Sequence, residues 1–295
     1  MALLDAQTLS KLKGVKLRAR AVVDGVLSGL HKSPHQGQSV EFAEHKEYAP
    51  GDELKHLDWK AYGKFDKFYV KRFEHETNLR AMMVVDASGS MGYGSGALTK
   101  LDVAKVLAAT LAHLLVRQQD AAGVSLVSGS TVREIPPRAA ATHLQVVLDT
   151  LESAEAKGTT DFSGLADQLA DTLPRRAMVC LFSDFFDDRA DALKRLLALR
   201  ARKHDVAVFH LVDPAELTFP FDDPTLFLSL EDERRIEVNP REIKQSYLEE
   251  FTRFLNETKQ ACTAADVDYE RVRTDEPLDQ VVLRFLSRRA GGGRP

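Results

Sequence analysis

A chain of 295 residues that is 44% hydrophobic and 28% charged has enough apolar side chains for a sizeable core, which excludes a disordered polymer. Forty basic against 44 acidic side chains leave a net charge of −4, so nucleic acid and anionic membrane are not expected as the main partners. Cys180 and Cys262 lie far apart without a CxxC or a nearby His pair, which argues against a disulfide framework or a cysteine zinc site; with no apolar run of signal-peptide or membrane-spanning length, the expected location is the cytoplasm.

Leu9, Leu12, Ala19, Val23, Val26 and Leu30 recur at helical spacing and predict an opening helix from about Thr8 to Leu30, with the basic residues from Lys11 to Arg20 on a solvated face. Residues 31 to 78 are rich in His, Gly and aromatics. They hold two short extended runs, SVEFAEHKEY and KFYVKRFEHE, and a type II turn at Ala49-Pro50-Gly51-Asp52. His31, His35, His45, His56 and His75 lack any metal-binding helix spacing and read as turn and surface residues. Asp52, Asp58 and Trp59, the only tryptophan, read as turn packing, with a partner surface as the alternative.

From Leu79 strands and helices alternate. AMMVVD (81–86) suits a strand buried on both faces, and Thr99-x-x-Asp102 opens a helix with a capping box. Two strands follow at 123–128 and 131–135, joined at Gly129-Ser130, then helices 143–152 and 162–173, strand 177–183, helix 189–202 and strand 206–212. Prolines 214, 220 and 224 interrupt the rhythm, and TLFLSL with RRIEV predicts an inserted hairpin within 213–238. Asn239-Pro240 starts a long amphipathic helix, followed by a strand at 267–272 and a helix at 277–289. The expected fold class is α/β, a mostly parallel sheet flanked by helices. The expected division is 1–78, a helix plus short strands; 79–289, the α/β domain with its hairpin; and 290–295, a flexible tail.

The informative residues are Asp86-x-Ser88-x-Ser90, directly after the first buried strand in a glycine-rich loop. Ligands of open α/β sheets bind beyond the carboxyl ends of strands, and hydroxyl and carboxylate oxygens suit a hard cation such as Mg²⁺. Ser88 and Ser90 could instead cap a strand-to-helix turn. A phosphate-cradling loop is the other rival, but residues 89–100 spell neither GxxxxGK[ST] nor GxGxxG.

This pattern resembles the metal-ion-dependent adhesion site of von Willebrand factor A domains. Its Thr position falls on Thr160, with Thr159 as the alternative, and its second Asp on Asp184 at the end of a later strand. The resemblance implies Mg²⁺, or Mn²⁺ or Ca²⁺ in its place, at Asp86, Ser88, Ser90, Thr160 and Asp184. It further implies that hydroxyls contact the metal, that the Asp side chains act largely through water, and that an Asp or Glu of a partner completes the shell. A second resemblance spans nearly the whole chain. Gln38 to Phe42, Tyr48-Ala-Pro50-Gly51-Asp52 through Trp59, Tyr69 to Glu74, Asp213-Pro-Ala-Glu216-Leu and Arg273-Thr-Asp275-Glu-Pro277 resemble the bacterial domain-of-unknown-function family 58, with Lys46 where an Arg is expected. That resemblance implies a non-enzymatic adaptor working with a MoxR-type AAA+ ATPase in assembly of client proteins. An Mg²⁺-dependent hydrolase or nucleotide-binding enzyme at the same loop is the alternative.

Overall fold

The computed structural model describes residues 5–32, 45–47, 69–71, 79–129, 131–160, 162–173, 176–186, 193–194 and 197–291. The chain divides into two compact units, residues 31–78 and residues 1–30 with 79–295. In the smaller unit β1 (His45–Glu47) and β2 (Tyr69–Lys71) pair antiparallel, His45 opposite Lys71, within the two extended runs read from the sequence. The turn at 49–52, Asp58, Trp59 and most of the histidines of that segment lie outside the described residues, as does the tail beyond 291.

The larger unit begins with a correction. The single opening helix is two, α1 (Ala6–Ser10) and α2 (Val15–Lys32), because Gly14 takes a φ of +87° that L residues rarely adopt. Asp5 caps α1 by accepting from Thr8 N at 2.7 Å. Leu9, Ala19, Val22 and Val26 enter the main core, whereas Leu30 is exposed.

Strands β3 (Arg80–Asp86), β4 (Ala121–Ser128), β5 (Thr131–Arg138), β6 (Met178–Ser183) and β7 (Asp205–Val212) join the last strand, β10 (Asp268–Arg273), in one sheet. The order is β10-β7-β6-β3-β4-β5, parallel throughout except for β5, which returns antiparallel on the edge. Edge placement is what permits Pro136 and Pro137 there, since neither can donate to a second neighbour. β3 is buried on both faces: Ala81, Met83 and Val85 pack into one core, Met82 and Val84 into the other, and β6 and β7 alternate likewise.

Helices cover both faces. α3 (Lys100–Arg117) is the most enclosed; Thr99 and Asp102 form the capping box read from the sequence, with Asp102 N donating to Thr99 Oγ1 at 3.1 Å. α4 (Ala141–Glu152) and α5 (Phe162–Thr172) follow. Of the expected helix 189–202, residues 189–192, 195 and 196 lie outside the described residues; 193, 194 and 197 are helical, and Ala198–Arg200 forms a 3-10 turn. After β7 the chain forms a short helix, α6 (Pro214–Thr218), that the prolines had masked. Pro214 occupies the first helical position, where a missing N–H costs nothing, and Asp213 with Glu216 makes a capping box. The hairpin pairs β8 (Thr225–Leu228) with β9 (Arg235–Val238). α7 (Pro240–Ala264), capped by Asn239, and α8 (Leu278–Gly291) complete the unit.

β3 and β6 are neighbours, but the connection leaving β3 runs to β4 on one side and that leaving β6 runs to β7 on the other, so the two carboxyl ends send the chain in opposite directions. A crevice opens at such a switch point, and the end of β3 is Asp86.

Candidate metal centre

Three loops meet at the carboxyl end of β3; backbone bonds join two of them to each other and to the end of β4, and side chains join the third. Ala87 N donates to Val127 O at 2.8 Å, Lys157 N to Ala87 O at 2.9 Å, and Gly89 N to Gly158 O at 2.7 Å. A parallel bridge between Gly129 and Thr160 extends the β4 edge into the same loop. These bonds bring Asp86 and Thr160, 74 positions apart in sequence, within contact.

Asp86 is 2% exposed and accepts three hydrogen bonds. Its Oδ1 takes Ser88 N at 2.9 Å and Thr160 Oγ1 at 2.6 Å; its Oδ2 takes Ser183 Oγ at 2.6 Å. Ser88 and Ser90 hydroxyls lie 3.0 Å apart, and Ser90 Oγ donates to Asp184 Oδ1 at 3.3 Å. The structure thus gathers all five residues singled out in the sequence into one hydrogen-bonded cluster. It is Thr160, not Thr159, whose hydroxyl reaches Asp86.

Ser183, Lys100 and His210 belong to this neighbourhood and were not singled out as site residues in the sequence. Ser183 bridges Asp86 and Phe185 N, holding Phe185 in a left-handed conformation of φ +53°. Lys100, 1% exposed, donates to Asp184 Oδ2 at 2.6 Å and to Glu216 Oε1 at 2.7 Å. His210 Nε2 faces the Asp184 carbonyl at 3.0 Å, which can only accept, so Nε2 carries the proton and Tyr269 OH donates to Nδ1 at 2.9 Å. The sequence signals were Ser183 preceding Asp184, Lys100 opening the helix behind the loop, and Glu216 within the Asp213-Pro-Ala-Glu216-Leu motif.

The electrostatics follow from burial. Removal from water, and then the charge of Asp184, push Asp86 up to about 6. Burial opposes the Lys100 ammonium, but the Asp184 and Glu216 carboxylates outweigh it and hold the lysine above its ordinary value. Burial pushes His210 down to about 4, so it is neutral at physiological pH.

Among the described residues no three His, Cys, Asp or Glu side chains stand together for a metal, so the donors here are two carboxylates and three hydroxyls. That set fits a hard cation. An octahedral oxygen shell with bonds of about 2.1 Å places neighbouring oxygens about 3.0 Å apart, and the Ser88 and Ser90 oxygens are at 3.0 Å. Asp86, its charge disfavoured by burial and by Asp184, is a group that a cation would stabilise in ionised form. Beside the cluster opens a cavity of about 570 Å³ whose walls include Asp86, Ser88, Thr160, Phe186, Tyr247 and Phe251. The hairpin tip forms part of its rim, and Gly89 permits the approach: a Cβ there would lie 2.0 Å from the Leu230 carbonyl oxygen.

Fold and site define a class: an α/β protein with a mostly parallel sheet, as the von Willebrand A resemblance implies, and an oxygen-lined cluster at its switch point. The chain belongs to the DUF58 family, described as a protein of unknown function, whose profile matches residues 44–258. It is similar to the uncharacterized protein Mb1516 of Mycobacterium bovis, 27% identical over 219 residues that cover 73% of this chain and 68% of that one. Among solved structures it resembles the conserved hypothetical protein BatB from Bacteroides thetaiotaomicron, with a TM-score of 0.45 and 15% identity over 72% of this chain and 100% of that one. It also resembles the SpRpn10 VWA domain, with a TM-score of 0.41 and 11% identity over 69% and 94% of the two chains. No helix among the described residues is long and apolar enough to cross a membrane.

Proposed function

We propose that this protein is a metal-dependent binding module that captures an acidic side chain of a protein partner through Mg²⁺ held by Asp86, Ser88, Ser90, Thr160 and Asp184. The observation that carries this reading is the convergence of five oxygen-bearing side chains from three loops, with the serine oxygens 3.0 Å apart. Ser88, Ser90 and Thr160 would supply neutral donors, and Asp86 and Asp184 the negative charge. The bound cation would supply a Lewis-acidic position that accepts a carboxylate oxygen. The partner class that the family resemblance implies is a MoxR-type AAA+ ATPase, with the protein serving as its adaptor in client assembly.

The test is capture of such an ATPase by immobilised protein, in Mg²⁺ and in EDTA, with wild type and Ser88→Ala. The expected result is capture in Mg²⁺ that is lost in EDTA and weakened at least tenfold in Ser88→Ala, while the thermal unfolding of the variant stays near wild type. Equal capture in all conditions would refute the metal-dependent reading.

A further inference from the structure

Lys100 is placed against two elementary preferences. It is the first residue of α3, where the positive end of the helix dipole opposes a cation, and it is buried, where an ammonium loses its hydration. Two carboxylates hold it there, Asp184 at 2.6 Å and Glu216 at 2.7 Å. Asp184 is divided among three neighbours: Oδ2 meets the lysine, and Oδ1 accepts from the hydroxyl of Ser90 and from Phe186 N at 3.2 Å. Lys100 is therefore one carboxylate removed from the oxygen cluster. Glu216 in turn is fixed by the α6 cap, since its Oε2 accepts from Asp213 N at 2.7 Å. Asp213 accepts from Ser95 N at 3.0 Å and from Thr274 Oγ1 at 2.9 Å, tying this carboxylate to the loop before α3 and to the end of β10.

We infer that Lys100 offsets the charge of Glu216 beside the centre, so that a divalent cation neutralises what Asp86 and Asp184 leave and the loaded centre accepts an anionic ligand. The inference rests on the metal-binding reading above. Asp86, Asp184, Glu216 and Lys100 together carry three negative charges and one positive, which a divalent ion balances. Without Lys100 the loaded centre would keep a negative charge and repel a carboxylate; without the Glu216 charge it would attract one more strongly. Lysine thus weakens the hold on the metal and strengthens the hold on the ligand. The two affinities should move in opposite directions, which a purely structural role for the pair would not produce.

The test compares wild type with Lys100→Met, Glu216→Gln and the charge-balanced double variant. Mn²⁺ affinity is read by electron paramagnetic resonance, and acetate affinity by water-proton relaxation of the Mn²⁺-loaded protein. For Lys100→Met, Mn²⁺ should bind about tenfold more tightly and acetate about tenfold more weakly; Glu216→Gln should show both changes reversed, and the double variant should return both to within about threefold of wild type. If Lys100→Met does not fold, Glu216→Gln and the double variant still decide the sign. Both affinities falling together, or an unrestored double variant, would overturn the inference while leaving the metal reading intact. Failure of wild type to bind Mn²⁺ would overturn both.

Discussion

Asp86→Asn removes the charge of the buried carboxyl and keeps its shape. Oδ1 can still accept from Ser88 N and Thr160 Oγ1, and the new amide can donate to Ser183 Oγ. In the wild-type fold, burial and then the Asp184 charge push Asp86 up to about 6 from an ordinary 3.8. The folded state therefore holds this proton more tightly than the unfolded chain does. The stability it contributes is fully present below about pH 3.8 and is lost as the pH rises through 6. Each tenfold difference in proton affinity between the folded and unfolded chain corresponds to about 1.4 kcal/mol, so the loss across that window is about 3 kcal/mol. Urea unfolding in EDTA, from about pH 4 to pH 7.5, should show wild type losing roughly 2–3 kcal/mol more than Asp86→Asn. Parallel stability profiles for the two proteins would refute the placement of a hard-to-ionise carboxyl at the end of β3. Excess Mg²⁺ should restore part of the wild-type loss near pH 7 and do little for the variant, because the cation binds the ionised form.

Gly89→Ala should displace the hairpin tip, because its Cβ would stand 2.0 Å from the Leu230 carbonyl oxygen, a backbone atom that cannot swing aside. We expect a cost of about 2–4 kcal/mol in thermal or urea unfolding, and an unchanged midpoint would show that the tip does not press on the loop. Burial pushes both Cys180 and Cys262 up to about 12, so the native thiols should resist a disulfide reagent at pH 8 and react at once in urea. Rapid labelling of either thiol in the folded protein would contradict the packing of the cores.

Local signals in the sequence were sufficient wherever the physics is local. The capping box at Thr99 and Asp102 needs only four residues, and the N-cap at Asn239 with Pro240 only two. The apolar run before Asp86 announces a strand buried on both faces whatever lies beside it. Asp86, Ser88 and Ser90 share one short loop, so their proximity could be read directly, and the expected hairpin within 213–238 rested on two contiguous runs.

The tertiary structure decided what depends on distant partners. Apolar spacing continued smoothly across Lys11 to Gly14, and only the backbone turn at Gly14 divides the opening helix. The choice between Thr159 and Thr160 required the bridge from Thr160 to Gly129, which sets the side of the loop that faces Asp86. Ser183, Lys100 and Glu216 are ordinary residues in their local contexts; they gain their roles from partners 84 to 116 positions away. A buried ion pair depends on desolvation as well as charge, and desolvation belongs to the packed molecule. The sequence therefore determined which oxygen-bearing side chains were available, while the closing of three loops on one strand end decided how their charges act on one another.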